Sequence, residues 1–177
     1  MSIFRKLRSL SRQEASMDDM REFQRQVHNE TNDRGAILLV TANADLALTQ
    51  ALYRVLKVSE DFRQRLEAEG GPLNTFSQKI MMGRALGIYG EVMQHNLDLL
   101  RHLRNAFAHS HAPITFTTPE VAEAAAHFKH QTLLLPYNLG AETKPLPEEP
   151  RARFHQTCET MSHNLIVWGW RQREQMP

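Results

Sequence analysis

The chain has one cysteine, Cys158, in 177 residues, so an intrachain disulfide is excluded and no thiol set exists from which a zinc site could be built. It also lacks an excess of charge of either sign. Lys and Arg number 21 against 20 acidic residues, a formal net charge of +1, which excludes adhesion to phosphate backbones by bulk charge and leaves only local basic patches. The positive N-terminus is not followed by an apolar stretch of signal-peptide length, and no segment reads as long and apolar enough to cross a bilayer. The expectation is a soluble, cytoplasmic protein. Gly70-Gly71-Pro72 lacks the Gly-Lys-Ser/Thr of a phosphate-cradling loop. No zinc-finger spacing and no helix-turn-helix with a basic recognition helix is visible, so sequence-specific DNA reading is not expected. The nine histidines include the close pairs His109/His111 and His127/His130, but no cysteine or carboxylate stands beside them at metal-ligand spacing. No metal and no cofactor is expected.

What is present is an ordinary apolar fraction of 41% with 23% charged residues, enough to bury a core in one domain. No internal repeat and no useful strand alternation occurs, whereas apolar residues recur every three or four positions. The fold class is all-α, a bundle of about six to seven helices. Residues 1–15, with the basic run Phe4-Arg5-Lys6-Leu7-Arg8, are read as a flexible basic arm, and 16–177 as a single helical domain.

Capping signals set the helix boundaries. Ser11/Glu14 and Ser16/Asp19 open a polar first helix through about Asn29. Asp33 to about Lys57 is apolar nearly all round and is expected to be the central helix. Ser59 caps a helix from Glu60 to Glu69, closed by Gly70-Gly71. Thr75 with Gln78 opens Phe76 to Leu86, closed by Gly87, and a helix from about Tyr89 to Ala108 follows. Thr118-Pro119-Glu120 starts another through Phe128. Pro136, Gly140, Pro145, Pro147 and Pro150 follow Lys129, so a long irregular loop is expected before a last helix from Arg151 to about Gln175.

The Tyr89–Ala108 helix carries the most chemistry. Val92, Met93, Leu97, Leu99, Leu100, Leu103, Ala106 and Phe107 fill one arc, and Arg104 falls inside it. A guanidinium drawn toward a core needs an acceptor, and Asp33 first, then Glu30, border the helix that must pack there. A structural ion pair of Arg104 with Asp33 or Glu30 is the expectation. Arg34, Arg101, Asn105 and His109 form a candidate functional surface. His109 in the last turn also suits the negative end of the helix dipole. Five residues separate Arg104 and His109, so their side chains diverge by about 140° on an ideal helix.

Glu30-Thr31-Asn32-Asp33-Arg34-Gly35-Ala36, Gly70-Gly71-Pro72-Leu73-Asn74-Thr75-Phe76-Ser77-Gln78-Lys79-Ile80, Ala85-Leu86-Gly87-Ile88 and Leu103-Arg104-Asn105-Ala106-Phe107-Ala108-His109-Ser110 together resemble the mannitol operon repressor (MltR) family over roughly residues 25–130. The resemblance implies an all-helical regulator that acts through a protein partner, without a DNA-reading module of its own. Arg104-x4-His109 also resembles the motif of HEPN domains. That weaker, local resemblance implies a metal-independent ribonuclease, working as a homodimer, in which His109 acts on the ribose 2′-hydroxyl and Arg104 steadies phosphate charge. RNA is a partner only under that alternative, and regulation by binding is the expectation placed first.

Overall fold

The computed structural model describes residues 29–134 and 141–174, together with Ile3, Glu22, Phe23, Arg25, Gln26 and Val27. The basic run at residues 4–8 and the first caps lie outside the described residues. Helical positions at Glu22, Phe23, Arg25, Gln26, Val27 and Asn29 precede six helices: α1 (Asp33–Leu56), α2 (Glu60–Leu66), α3 (Phe76–Ala85), α4 (Glu91–His109), α5 (Pro119–Ala126) and α6 (Pro150–Glu174). The class is all-α, as the three-to-four-residue periodicity requires.

Caps explain where these helices start. Asn32 Oδ1 accepts the Gly35 N–H at 3.0 Å, and Asp33 places an acid in the first turn of α1, where the helix dipole favours it. Lys57 ends α1 in the left-handed conformation at φ 46°. Ser59 caps α2, and Thr75 with Gln78 forms a full capping box on α3. The α2 helix stops at Leu66, earlier than the Gly70-Gly71 signal; the Ala68 and Gly71 carbonyls close tight turns on the Gly71 and Asn74 N–H groups, and the Leu73 N–H returns to the Leu66 carbonyl. Thr118 does not cap α5 with its side chain; its Oγ1 instead accepts the Thr115 N–H at 3.0 Å.

At the centre, α1 packs on α6, α4 and α3. Ile37, Ala44, Leu48 and Leu52 on α1 are fully buried, with Leu97, Leu100 and Phe107 from α4 and Phe154 and Met161 from α6. By length and composition alone α1 is apolar enough to cross a membrane, which corrects the sequence reading; half of the qualifying stretch is buried within this bundle, the environment that makes such a composition favourable without lipid. Cys158 is buried in the same core.

The connection before α6 is more ordered than a plain loop. Leu133–Leu134 (β1) and Ala141–Glu142 (β2) form a two-residue antiparallel ladder with Leu133 opposite Glu142. Ahead of it the chain is held by two asparagine side chains that act as pieces of backbone. Asn96, on α4 and fully buried, donates to Lys129 O at 2.8 Å and accepts the Lys129 N–H at 2.9 Å. Asn164, on α6, does the same for Thr132 O and the Leu134 N–H, both at 2.8 Å. A carboxamide offers one acceptor and one donor in the geometry of a peptide, so each side chain stands in for a neighbouring strand.

Candidate functional site

Two groups of the candidate residues separate in space by role. The first surrounds the start of α1. Asp33 pairs with Arg151 of α6 through Oδ1 and accepts the Phe116 N–H on Oδ2 at 2.9 Å. Arg151 also donates to the Glu30 carbonyl and, at 3.1 Å, to the Thr31 carbonyl. Arg34 donates to Ser110 O at 3.0 Å and to Ala112 O at 3.4 Å. Glu30 accepts the Asn32 N–H at 2.8 Å and lies so close over α1 that a Cβ at Gly35 would stand 2.9 Å from its Cδ. A side chain at position 35 would have to displace that carboxylate.

Asp33 and Arg34 thus tie three segments together: the start of α1, the extended stretch after α4, and the first turn of α6. Phe116 fills the space beneath, its ring centroid 6.1 Å from Phe107 and 5.1 Å from Phe154. Arg34, expected on a functional surface, is half-buried and engaged with carbonyls. Its role here is to hold the chain that leaves α4.

The second group lies on the last half of α4. Arg104 is exposed and donates to Asn105 Oδ1 at 3.1 Å. It does not reach Asp33 or Glu30, which corrects the expected ion pair. The cause is the turn of the buried stripe along the helix. The buried positions of the second half of α4 are Leu100, Leu103 and Phe107; from Leu100 these two step to one side of the wheel, while Arg104 lies about 40° to the other. Val92 and Ala106, placed in the apolar arc from sequence, are exposed as well, at about 80° and 120° from Leu100 on the side opposite Arg104, and Asn96 takes a buried place. No carboxylate is paired with Arg104 among the described residues.

Arg101 is half-buried; its Nη2 donates to His102 Nε2 at 2.8 Å and its Nε lies 3.6 Å from Asp98 Oδ1. His109 is exposed at the end of α4. Arg101, His102, Arg104, Asn105 and His109 therefore form one exposed to half-exposed cationic face. Among the described residues no group of His, Cys, Asp and Glu is arranged to hold a metal ion.

The residue that sequence reading missed is Arg151, the true partner of Asp33. Its signal was available: an arginine in the first turn of a helix opposes the dipole, and such a placement asks for a nearby acid.

A packing of helices around one central apolar helix defines the class, a helical bundle whose polar constellations lie toward helix ends. No protein-family profile matches the chain, and no curated protein sequence matches it. Among solved structures the chain is similar to one described as the X-ray structure of the MtlR-HPr complex from Escherichia coli, with a TM-score of 0.56 and 16% identity over 84% of this chain and 94% of that one. The likeness is one of fold, and it spans most of this chain and nearly the whole of the other.

Proposed function

We propose that this protein is a regulatory interaction module, a helical bundle resembling the mannitol operon repressor family that controls transcription by engaging a protein partner rather than by reading DNA. The observation that carries this reading is the fold likeness, over most of this chain, to a chain solved in complex with HPr. An HPr-type carrier protein is the first partner to test. Supporting it are the near-neutral charge and the residues quoted above for the family resemblance. Calorimetric titration of the purified chain with HPr from its own host should give saturable, stoichiometric binding. Absence of heat and of a mobility change at high micromolar concentrations of both proteins would remove HPr as the partner.

A second reading, a dimeric HEPN-like ribonuclease, is favoured by one observation: Arg104 and His109 are both exposed near one helix end, available to a substrate. Cleavage of single-stranded RNA without added metal, abolished in a folded His109→Ala variant, would establish it, since a histidine handling protons contributes a factor of about 100 to 10,000 in rate. Regulation through a protein partner, by contrast, predicts no cleavage by the wild type and a His109→Ala variant that still folds, because an exposed histidine at a helix end contributes about 0.3 to 1 kcal/mol.

A further inference from the structure

We propose that the cationic C-terminal half of α4 is the docking face for an acidic protein surface, an inference that rests on the reading of the chain as a partner-binding module. Residues 99–119 contain Arg101, His102, Arg104, His109 and His111 and not one Asp or Glu. On the outer side of α4 the side chains of His102, Arg104, Ala106 and His109 are exposed, with Leu99, Arg101, Asn105 and Ala108 half-exposed between them.

The helix dipole does not account for this. Its effect is confined to the last turn, and Arg101 and Arg104 lie further back, separated from the end of α4 at His109 by one to two turns. Internal pairing neutralises the face only in part. Arg104 is bonded to the neutral amide of Asn105, and Arg101 to the ring nitrogen of His102. Arg101 also forms an ion pair with Asp98 of the preceding turn, its Nε 3.6 Å from Oδ1, whereas Arg104 has no acidic partner among the described residues. The Arg104 charge is therefore presented outward.

The composition of the face fits a protein better than a nucleic acid. Ala108 lies between Arg101 and Arg104 on the helix wheel, a small apolar contact beside arginine, a residue enriched at protein interfaces. No Phe, Tyr or Trp is exposed on it to stack a base, and the chain carries a formal net charge of only +1. Carboxylates are the groups that answer a planar guanidinium in two hydrogen bonds, so the complementary surface is one rich in Asp and Glu.

Three probes test this: host HPr, poly-L-glutamate as a bare acidic chain, and oligo(U) RNA. Each is titrated into the wild type, into Arg104→Glu, into Arg101→Glu/Arg104→Glu, and into Arg65→Glu, an equal charge change at an exposed site on α2. Arg104→Glu is the primary variant because its side chain is exposed and its loss leaves the core intact. The proposal expects HPr binding to weaken about ten-fold or more in the α4 variants, to stay unchanged in Arg65→Glu, and to fall as salt rises.

HPr binding that is equal in all four proteins overturns the docking face while the partner-binding reading stands. If HPr does not bind the wild type, the HPr reading falls, and poly-L-glutamate decides the face: salt-sensitive binding by the wild type with amide shifts on residues 99–111, lost in Arg104→Glu, supports it, and no binding or shifts elsewhere overturns it. Oligo(U) binding that exceeds that of HPr and of poly-L-glutamate and is lost in Arg104→Glu overturns it in favour of RNA.

Discussion

Single side chains at two places decide most of what the sequence concealed. Arg151 bonds Asp33 and the carbonyls of Glu30 and Thr31, with about a quarter of its side chain exposed, 27% against 17% for Asp33. Arg151→Ala leaves that carboxylate without its cation, and chemical denaturation should show a loss of about 2 to 3 kcal/mol, below the cost of breaking a fully buried pair. Arg104→Ala, whose side chain is exposed, should change stability by less than about 0.5 kcal/mol; a loss as large as that of Arg151→Ala would contradict the assignment of Asp33 to Arg151. Tyr89 offers a second test. Its hydroxyl donates to the Ile80 carbonyl at 2.7 Å, and burial raises its ionisation above the ordinary phenol range. Since the folded state holds the proton to higher pH than the unfolded chain, this contribution is complete below about pH 10 and declines as pH rises beyond it. Tyr89→Phe should be less stable than wild type by about 1 kcal/mol near neutrality, and the gap should narrow and reverse in titrations above pH 10.

Helix ends were legible from sequence wherever a local hydrogen bond sets them: Ser59 and the Thr75/Gln78 box both act within a few positions along the chain. What escaped was every feature that depends on a distant partner. The residues flanking β1 are fixed by Asn96 and Asn164, from helices on either side in sequence, and nothing local marks an asparagine as a substitute strand. The Arg104 assignment failed for a related reason, because a wheel treats α4 as having one neighbour along its length whereas α1, α3 and α5 all pack on it. Asn96→Ala should remove both bonds to Lys129 and destabilise the protein by about 2 to 3 kcal/mol. Native-state hydrogen exchange should then quicken at the Lys129 amide and stay slow at Leu134; Asn164→Ala should do the reverse. Equal exchange in both variants would mean that the segment is held by something other than these carboxamides.

At the scale of the molecule, the all-α class and the central place of α1 followed from periodicity, while the pairing of α1 with α6 could not, since more than ninety residues separate them and only packing brings them together. With no reading helix among its described elements and a formal net charge of +1, the purified protein should show no preference for an operator-length duplex over a scrambled one at physiological salt. Nanomolar, sequence-selective binding in a gel-shift titration would overturn that. The α1–α6 pairing has a consequence for biosynthesis. During translation at about 5 to 20 residues per second, α1 leaves the ribosome roughly 5 to 20 seconds before α6 exists to cover it. For that interval the most apolar helix of the nascent chain is bare along one side, so this protein should lean on chaperones while it is being made, and mutations that weaken the seat of α6 should reduce its yield in cells more than they reduce its stability once folded.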